Sequence, residues 1–267
     1  MANILAEIVA HKHIEVGERK KFRSAQSLEQ SQLFQRSVYS MRAFLKAPGK
    51  TGIIAEFKRK SPSKGIINDK VTVEQVTTAY AKFGASALSV LTDTNYFGGS
   101  TDDVLQARNV NNIPILRKDF IVDEYQIIEA RAMGADVILL IAECLTKAEI
   151  DQFSTLANNL GMEVLLEVHS ATQLEKITEH VHLVGVNNRD LTTFTVDINR
   201  SFELAKLIPS SKYKVAESGI TGTNEIVQLK QAGFDGFLIG ENFMKNANPA
   251  QAFEAFSHAL TQQLATV

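Results

Sequence analysis

A closed (β/α)8 TIM barrel with a helical N-terminal extension, fold class α/β, is what three features of this 267-residue sequence predict. An amphipathic segment that ends at glycine and is followed by a short apolar run recurs along the chain. Capping residues open several of the helical segments at matching positions. Eight apolar runs are spaced by about 20 to 33 residues, the length of a βα unit.

Four of the runs directly follow such a glycine: AKFGASALSVL ending at Leu91, RAMGADVILLI ending at Ile141, NNLGMEVLLE ending at Glu167 and KQAGFDGFLIG ending at Gly240. Glycine suits the junction because it takes the left-handed C′ conformation at little steric cost, and Val/Ile/Leu runs suit strands buried on both faces of a parallel sheet. IIAEF (53–57), IPILR (113–117), LVGVN (183–187) and YKVAE (213–217) bring the strands to eight. Thr72 with Gln75, Asp123 with Gln126, Thr146 with Glu149 and Ser170 with Gln173 have N-cap or capping-box spacing. Eight alternating units favour a closed barrel over an open doubly wound sheet, and no GxGxxG follows the first strand to suggest a dinucleotide fold. Residues 1–48 hold ILAEIVAHKHIEVGERKKF and MRAFL ahead of Pro48 and Gly49, and read as a helical extension able to cover one mouth of the barrel. Residues 49–267 form the barrel itself, and the whole is expected to be one domain.

Composition narrows the function classes. With 45% hydrophobic and 22% charged residues the chain has the make-up of a soluble globular protein, which excludes disorder. The formal net charge is −2 and the basic residues are dispersed, so nothing is arranged to neutralise a nucleic-acid backbone. No apolar run approaches the roughly 20 residues of a membrane span, and the N-terminus lacks a signal-peptide core. A cytoplasmic protein without nucleic-acid or membrane partners is therefore expected. Cys144 is the only cysteine, so no internal disulfide forms, and it reads as a small core residue. The histidines His11, His13, His169, His180, His182 and His258 show no HxH or HExxH arrangement at strand ends, so no metal site is expected. The basic helical stretch from Lys12 to Arg23 reads as a solvated face.

Barrel active sites lie at the C-terminal ends of the strands, and most strands here end in polar residues. The first ends Glu56-Phe57-Lys58-Arg59-Lys60-Ser61, the third Arg117-Lys118-Asp119-Phe120 and the fifth at Glu167; the sixth ends Asn187-Asn188-Arg189-Asp190 and the seventh Glu217-Ser218-Gly219. Alternation puts Glu56, Lys58 and Lys60 on one side of the first strand and Phe57 and Arg59 on the other. Alternate charges aimed into a barrel are costly unless they meet each other or a charged ligand, so a structural ion-pair network is the competing reading of the same residues. Gly219 and Gly240 follow the last two strands, where barrels commonly bind phosphate through backbone N–H groups, and Lys60 supplies nearby positive charge. From the residues alone, the reading is a phosphate-binding barrel enzyme with paired Lys and Glu.

The segments IIAEFKRKSPSKG (53–65), SVLTDTNYFGG (89–99), PILRKDFIVDEYQI (114–127), GVNNRDL (185–191), VAESGI (215–220) and FLIGENFM (237–244) together resemble the indole-3-glycerol-phosphate synthase family. The resemblance implies a carboxy-lyase of tryptophan biosynthesis that acts on the phosphorylated small molecule 1-(2-carboxyphenylamino)-1-deoxyribulose 5-phosphate. It closes the indole ring with loss of CO2 and water, giving indole-3-glycerol phosphate, with no cofactor and no metal. Lys118 matches the family's general acid, and Glu167 and Lys58 match its candidates for the dehydration; which lysine serves which step stays open. Glu56 is implied to orient the lysines and the reacting amine. Asn187, Arg189, Glu217 and Ser218 are implied to contact the anilino carboxylate or the sugar hydroxyls. Phe97 and Phe120 are implied to enclose the aromatic ring, with Leu191 as a further substrate contact. The phosphate is implied to meet Lys60, Ser61, Gly219, Gly240 and Glu241, the last through its backbone N–H with the carboxylate turned away.

Two other functions compete: a Schiff-base lyase using Lys118 or Lys58 as nucleophile on a ketose phosphate, and a non-catalytic barrel that binds a phosphometabolite. The sequence stops at Val267 directly after helix sequence that closes the barrel, which indicates a monofunctional form. The resemblance leaves room for transient contact with other enzymes of tryptophan biosynthesis.

Overall fold

The computed structural model describes residues 4–190 and 193–266, and within them the eight apolar runs form a closed parallel barrel. Its strands are β1 (Ile53–Phe57), β2 (Ala87–Leu91), β3 (Ile115–Lys118), β4 (Val137–Ile141), β5 (Glu163–Val168), β6 (Leu183–Asn187), β7 (Tyr213–Glu217) and β8 (Gly236–Ile239). Each pairs with its neighbour in sequence, and β8 closes onto β1 with Ile53 opposite Phe237. Ahead of the barrel come α1 (Ile4–Phe22), α2 (Ala25–Glu29), a 3₁₀ turn at Gln32–Gln35 and α3 (Met41–Leu45). The outer layer is α4 (Val73–Lys82), α5 (Thr101–Val110), α6 (Glu124–Ala132), α7 (Lys147–Asn159), α8 (Asn199–Leu204), α9 (Thr223–Gln231), α10 (Glu241–Met244) and α11 (Pro249–Leu264).

Local chemistry explains most element boundaries. Gly84, Gly134, Gly161 and Gly233 lie just past α4, α6, α7 and α9 with φ of 94°, 89°, 78° and 91°, the left-handed region that stops a helix and costs a residue with Cβ about 1 kcal/mol or more. Thr146 and Glu149 form a reciprocal capping box on α7, Thr72 accepts from Gln75 N, and Asp123 accepts from Tyr125 N. The expected cap at Ser170 does not form. Its hydroxyl engages Thr172 Oγ1, Gln173 Oε1 accepts from His169 N at 2.7 Å, and the β5–β6 crossover is a 3₁₀ helix, Ala171–Lys176.

Strand parity divides the core into two shells. Outward residues such as Ile53, Phe57, Leu88, Val90, Ile138 and Leu140 pack beneath the helices. Inward residues Ile54, Ala87, Leu116, Val137, Leu139, Leu165, Leu183, Val215 and Leu238 fill the barrel axis, and Met41 and Leu45 of α3 join them, plugging the N-terminal mouth. Burying a Leu or Met side chain contributes roughly 1.5–3 kcal/mol, so this plug is a stabilising element. Above the apolar layers the next inward positions are Glu56, Lys118, Glu167, Asn187 and Glu217, and the axis turns polar at its C-terminal end.

Helix α1 lies over that polar end, where Ile4, Leu5 and Ile8 line the same cavity as the strand-end residues. The expectation of a solvated face from Lys12 to Arg23 fails at its first residue. Lys12 is 0% exposed and forms ion pairs with Asp93 at 2.8 Å, Asp119 at 3.0 Å and Glu15 at 2.9 Å. Sequence spacing gives no sign of this, because Asp93 and Asp119 reach α1 only once β2 and β3 are side by side. Farther along the helix the surface reading holds, with Lys20 and Lys21 exposed.

Candidate active site

The C-terminal mouth opens into a cavity of about 150 Å³, lined by α1, the strand ends and the loops that follow them. Lys118 is the last residue of β3 and points inward, with Nζ 2.8 Å from Glu167 Oε2 on β5 and 2.9 Å from Glu217 Oε2 on β7. Asn187 Nδ2 donates to Glu167 Oε1 at 3.1 Å, and His169 Nε2 lies 3.3 Å from that oxygen. Just past β1, Lys58 Nζ pairs with Glu56 Oε1 at 2.8 Å, and Ser89 Oγ on β2 donates to Glu56 Oε2 at 3.3 Å. Two glycines make room for these carboxylates: a Cβ on Gly185 would collide with Glu217 Oε1, and one on Gly240 would lie 2.5 Å from Glu56 Oε1.

Three carboxylates and two ammoniums in one desolvated pocket cannot all keep ordinary proton affinities. Burial alone would strip the proton from Lys118, but the charges of Glu167, Glu217 and Glu56 outweigh it and hold the ammonium well above the usual lysine range. Burial acts to raise Glu167, yet Lys118 and then His169 draw it down to about 2. Glu217 moves the other way: burial, together with the charges of Glu167 and Glu56, overcomes the pull of Lys118 and pushes it up to about 8. At neutral pH the resting site therefore offers a charged ammonium, an ionised carboxylate and a protonated carboxyl.

Around these groups the cavity is amphiphilic. Phe97 and Phe120 stand with ring centroids 5.9 Å apart and planes inclined at 37°. Ser61 Oγ and Glu217 Oε1 are buried without a hydrogen-bond partner, an arrangement that costs about 1–3 kcal/mol unless a ligand supplies the missing bond. Ser218 and Gly219 follow one another in the left-handed region, at φ of 65° and 78°. For a serine that conformation is strained, and such strain clusters at functional sites.

Of the residues singled out in sequence, the cavity brings together Glu56, Lys58, Ser61, Phe97, Lys118, Phe120, Glu167, Asn187, Arg189, Glu217, Ser218 and Glu241. The Glu241 carboxylate lies 3.5 Å from Arg189 Nη2. Lys60 is not in the lining, and its Nζ donates to the Asn95 carbonyl at 2.8 Å. The predicted alternation of Glu56, Lys58 and Lys60 fails at its third member because β1 ends at Phe57 and the chain enters a hairpin pairing Lys60–Ser61 with Gly65–Ile66. Gly219 and Gly240 are not part of the lining, and Leu191 is outside the described residues. Sequence reasoning missed the apolar wall: Ile4, Leu5 and Ile8 from α1, Leu91, Leu139, Ile141 and Leu238 from the strands, and Phe194. The helical extension is expected to cover one mouth of the barrel, but its sequence does not say which. Phe194, at φ 58°, lies in an irregular loop with no period to read.

A family model described as indole-3-glycerol phosphate synthase matches residues 5–256. An indole-3-glycerol phosphate synthase of Bacteroides thetaiotaomicron is 44% identical over 260 residues, 97% of this chain and 100% of that one. Those of Laribacter hongkongensis and Bordetella pertussis are 41% and 42% identical over 257 residues, covering 94% and 93% of this chain and 98% and 97% of theirs. Among solved structures, 3-hexulose-6-phosphate synthase from Salmonella typhimurium aligns with TM-score 0.61 at 12% identity, over 79% of this chain and 98% of that one. The tryptophan synthase complex from Pyrococcus furiosus aligns with TM-score 0.59 at 13% identity, over 80% and 99%. At such identities the likeness is one of fold.

Proposed function

The chain belongs to the indole-3-glycerol phosphate synthase family and closes the indole ring of 1-(2-carboxyphenylamino)-1-deoxyribulose 5-phosphate in tryptophan biosynthesis, and we propose that the charged side chains at its strand ends divide the work as follows. The amine's electron pair drives the carboxylate-bearing ring carbon onto the ketone carbon, and the ketone oxygen takes a proton from Lys118. CO2 then leaves, and its bonding pair neutralises the iminium. In the dehydration Lys58 protonates the departing hydroxyl while Glu167 takes the proton from the adjacent ring carbon. Glu56 orients Lys58. Each such transfer contributes ~10²–10⁴-fold, so holding the two reacting carbons together must supply much of the remainder.

The observation that carries this reading is the contact of Lys118 Nζ with Glu167 Oε2 at 2.8 Å. It keeps the acid protonated and the base ionised at neutral pH, the states in which ring closure and dehydration need them. The charge state of Lys118 argues against that residue as the nucleophile of a Schiff-base lyase, which needs a neutral lysine. Phe97 and Phe120 enclose the aryl ring, with Asn187 and Arg189 near its carboxylate. Ser61 Oγ and the backbone N–H groups after β7 and β8 receive the phosphate; Lys60 joins them only by leaving the Asn95 carbonyl. Glu217 Oε1 and Ser218 meet the sugar hydroxyls. A substrate carrying carboxylate and phosphate stays in the compartment where it is made. A cytoplasmic location, and transient contact with the enzymes that supply and consume these intermediates, are part of the same reading.

The chain contains no tryptophan, so indole emission stands out against a low protein background. Mixing the purified protein with the carboxyphenylamino substrate should give a time-dependent rise in that emission matched by CO2 release. Binding without either signal would favour the non-catalytic barrel.

A further inference from the structure

Lys12 is buried completely and lies outside the cavity lining, so it takes no part in the chemistry described above. Its three ion-pair partners are Asp93 at 2.8 Å, Asp119 at 3.0 Å and Glu15, on its own helix, at 2.9 Å. Burial by itself would lower its proton affinity, but Asp119 and Asp93 outweigh burial and raise it, so the side chain is an ammonium.

Both aspartates also hold the aromatic pair. Asp93 Oδ1 accepts from the backbone N–H of Tyr96 at 2.8 Å and of Phe97 at 3.2 Å. Asp119 Oδ1 accepts from the N–H of Phe120 at 2.8 Å, while its Oδ2 accepts from Thr92 Oγ1 at 2.5 Å and from Arg117 Nη2 at 3.2 Å. Ile8 and Ile4 precede Lys12 by one and two helical turns and reach the cavity from above. One ammonium thus ties the apolar roof on α1 to the two loops that carry the rings. Buried ion clusters contribute little net stability, and fixing register is their best-attested use.

We propose that Lys12 is a positioning residue for the aryl end of the substrate: its ammonium fastens α1 to the ends of β2 and β3 and so sets the gap between the Ile4, Leu5 and Ile8 roof and the Phe97–Phe120 pair. This rests on the reading that the two rings enclose the aryl group. The phosphate end is held by other elements, so loss of the tether should disturb one end of the substrate and spare the other.

The test is steady-state kinetics of Lys12→Met, with inorganic phosphate as a competitive inhibitor. The expected result is a KM raised roughly tenfold or more, a kcat within about threefold, and a phosphate inhibition constant unchanged. An unchanged KM in the folded variant overturns the proposal, as does a KM and a phosphate constant that rise together. Because Lys12→Met leaves a buried carboxylate uncompensated, Lys12→Met/Asp93→Asn is made alongside. The Asp93→Asn change removes that charge yet keeps a side-chain oxygen as acceptor for the Phe97 N–H, so the double variant should keep the raised KM. Recovery of the parental KM would mean that an unpaired charge, not the lost tether, caused the effect, and would overturn the proposal. Phe97→Ala separates the premise: if it leaves KM unchanged, the reading of the rings has failed, whereas if it raises KM and Lys12→Met does not, the fault lies with the role given to Lys12.

Discussion

The two mouths of the barrel are built on the inward faces of the same strands and end up with different properties. At the N-terminal mouth those faces carry Val137, Leu183 and Val215, closed off by Met41 and Leu45 of α3, all buried and apolar. A few residues along the same strands, the inward positions become Glu56, Lys118, Glu167, Asn187 and Glu217, roofed by α1. Desolvating such charges costs several kcal/mol per ion before pairing offsets it. The apolar layers beneath tolerate that cost, which separates where the barrel is held together from where it reacts.

The sharpest way to break this comparison is to act on each mouth in turn. Lys118→Met should lower kcat at saturating substrate by ~10²–10⁴-fold, read from product fluorescence; a loss of only a few fold would remove Lys118 from the chemistry. At the other mouth, Leu45→Ala should cost about 2–5 kcal/mol of stability and leave kcat at 25 °C within about twofold, as checked by denaturant unfolding and assay. A matching loss of kcat would show that the two mouths are not separable.

Glu217 sharpens the comparison through pH. Its carboxyl titrates at about 8 in the fold, against about 4.3 when unfolded. A raised carboxyl favours the fold fully below the unfolded value, and that contribution is lost as pH rises through the folded value. Glu217→Gln cannot titrate, so its melting temperature should gain on the parent between about pH 5 and pH 9, by on the order of 10 °C. A difference that stays constant across that range would contradict the assignment. The smallest effect is expected at Ser61, whose unpartnered hydroxyl lines the cavity: Ser61→Ala should raise KM about three- to tenfold with kcat unchanged, and an unchanged KM would remove Ser61 from the phosphate contacts.

Much of this could be read from the chain because its signals are local. Strand runs have a period and a fixed spacing, and Lys118, Glu167 and Glu217 each end an apolar run, the position where barrel chemistry sits. What escaped depends on distant partners or on a change of backbone regime. Lys12 looks like its solvated helix neighbours until Asp93 and Asp119 close around it. Lys60 obeys the alternation of β1 only on paper, because the strand has ended before it. Ser170 has the spacing of a cap, but its hydroxyl finds Thr172 first. Nothing near Gly185 in the sequence accounts for a glycine inside β6, and its reason appears only when Glu217 fills the space across from it.

The most direct test of the division of labour is a single turnover of Glu167→Gln in which CO2 and indole product are followed separately. With Glu167 as the base of the dehydration, the variant should release close to one equivalent of CO2 per site while indole formation falls by about 10²-fold or more. Loss of CO2 release and of indole by the same factor would contradict the account, placing Glu167 in ring closure instead of after it.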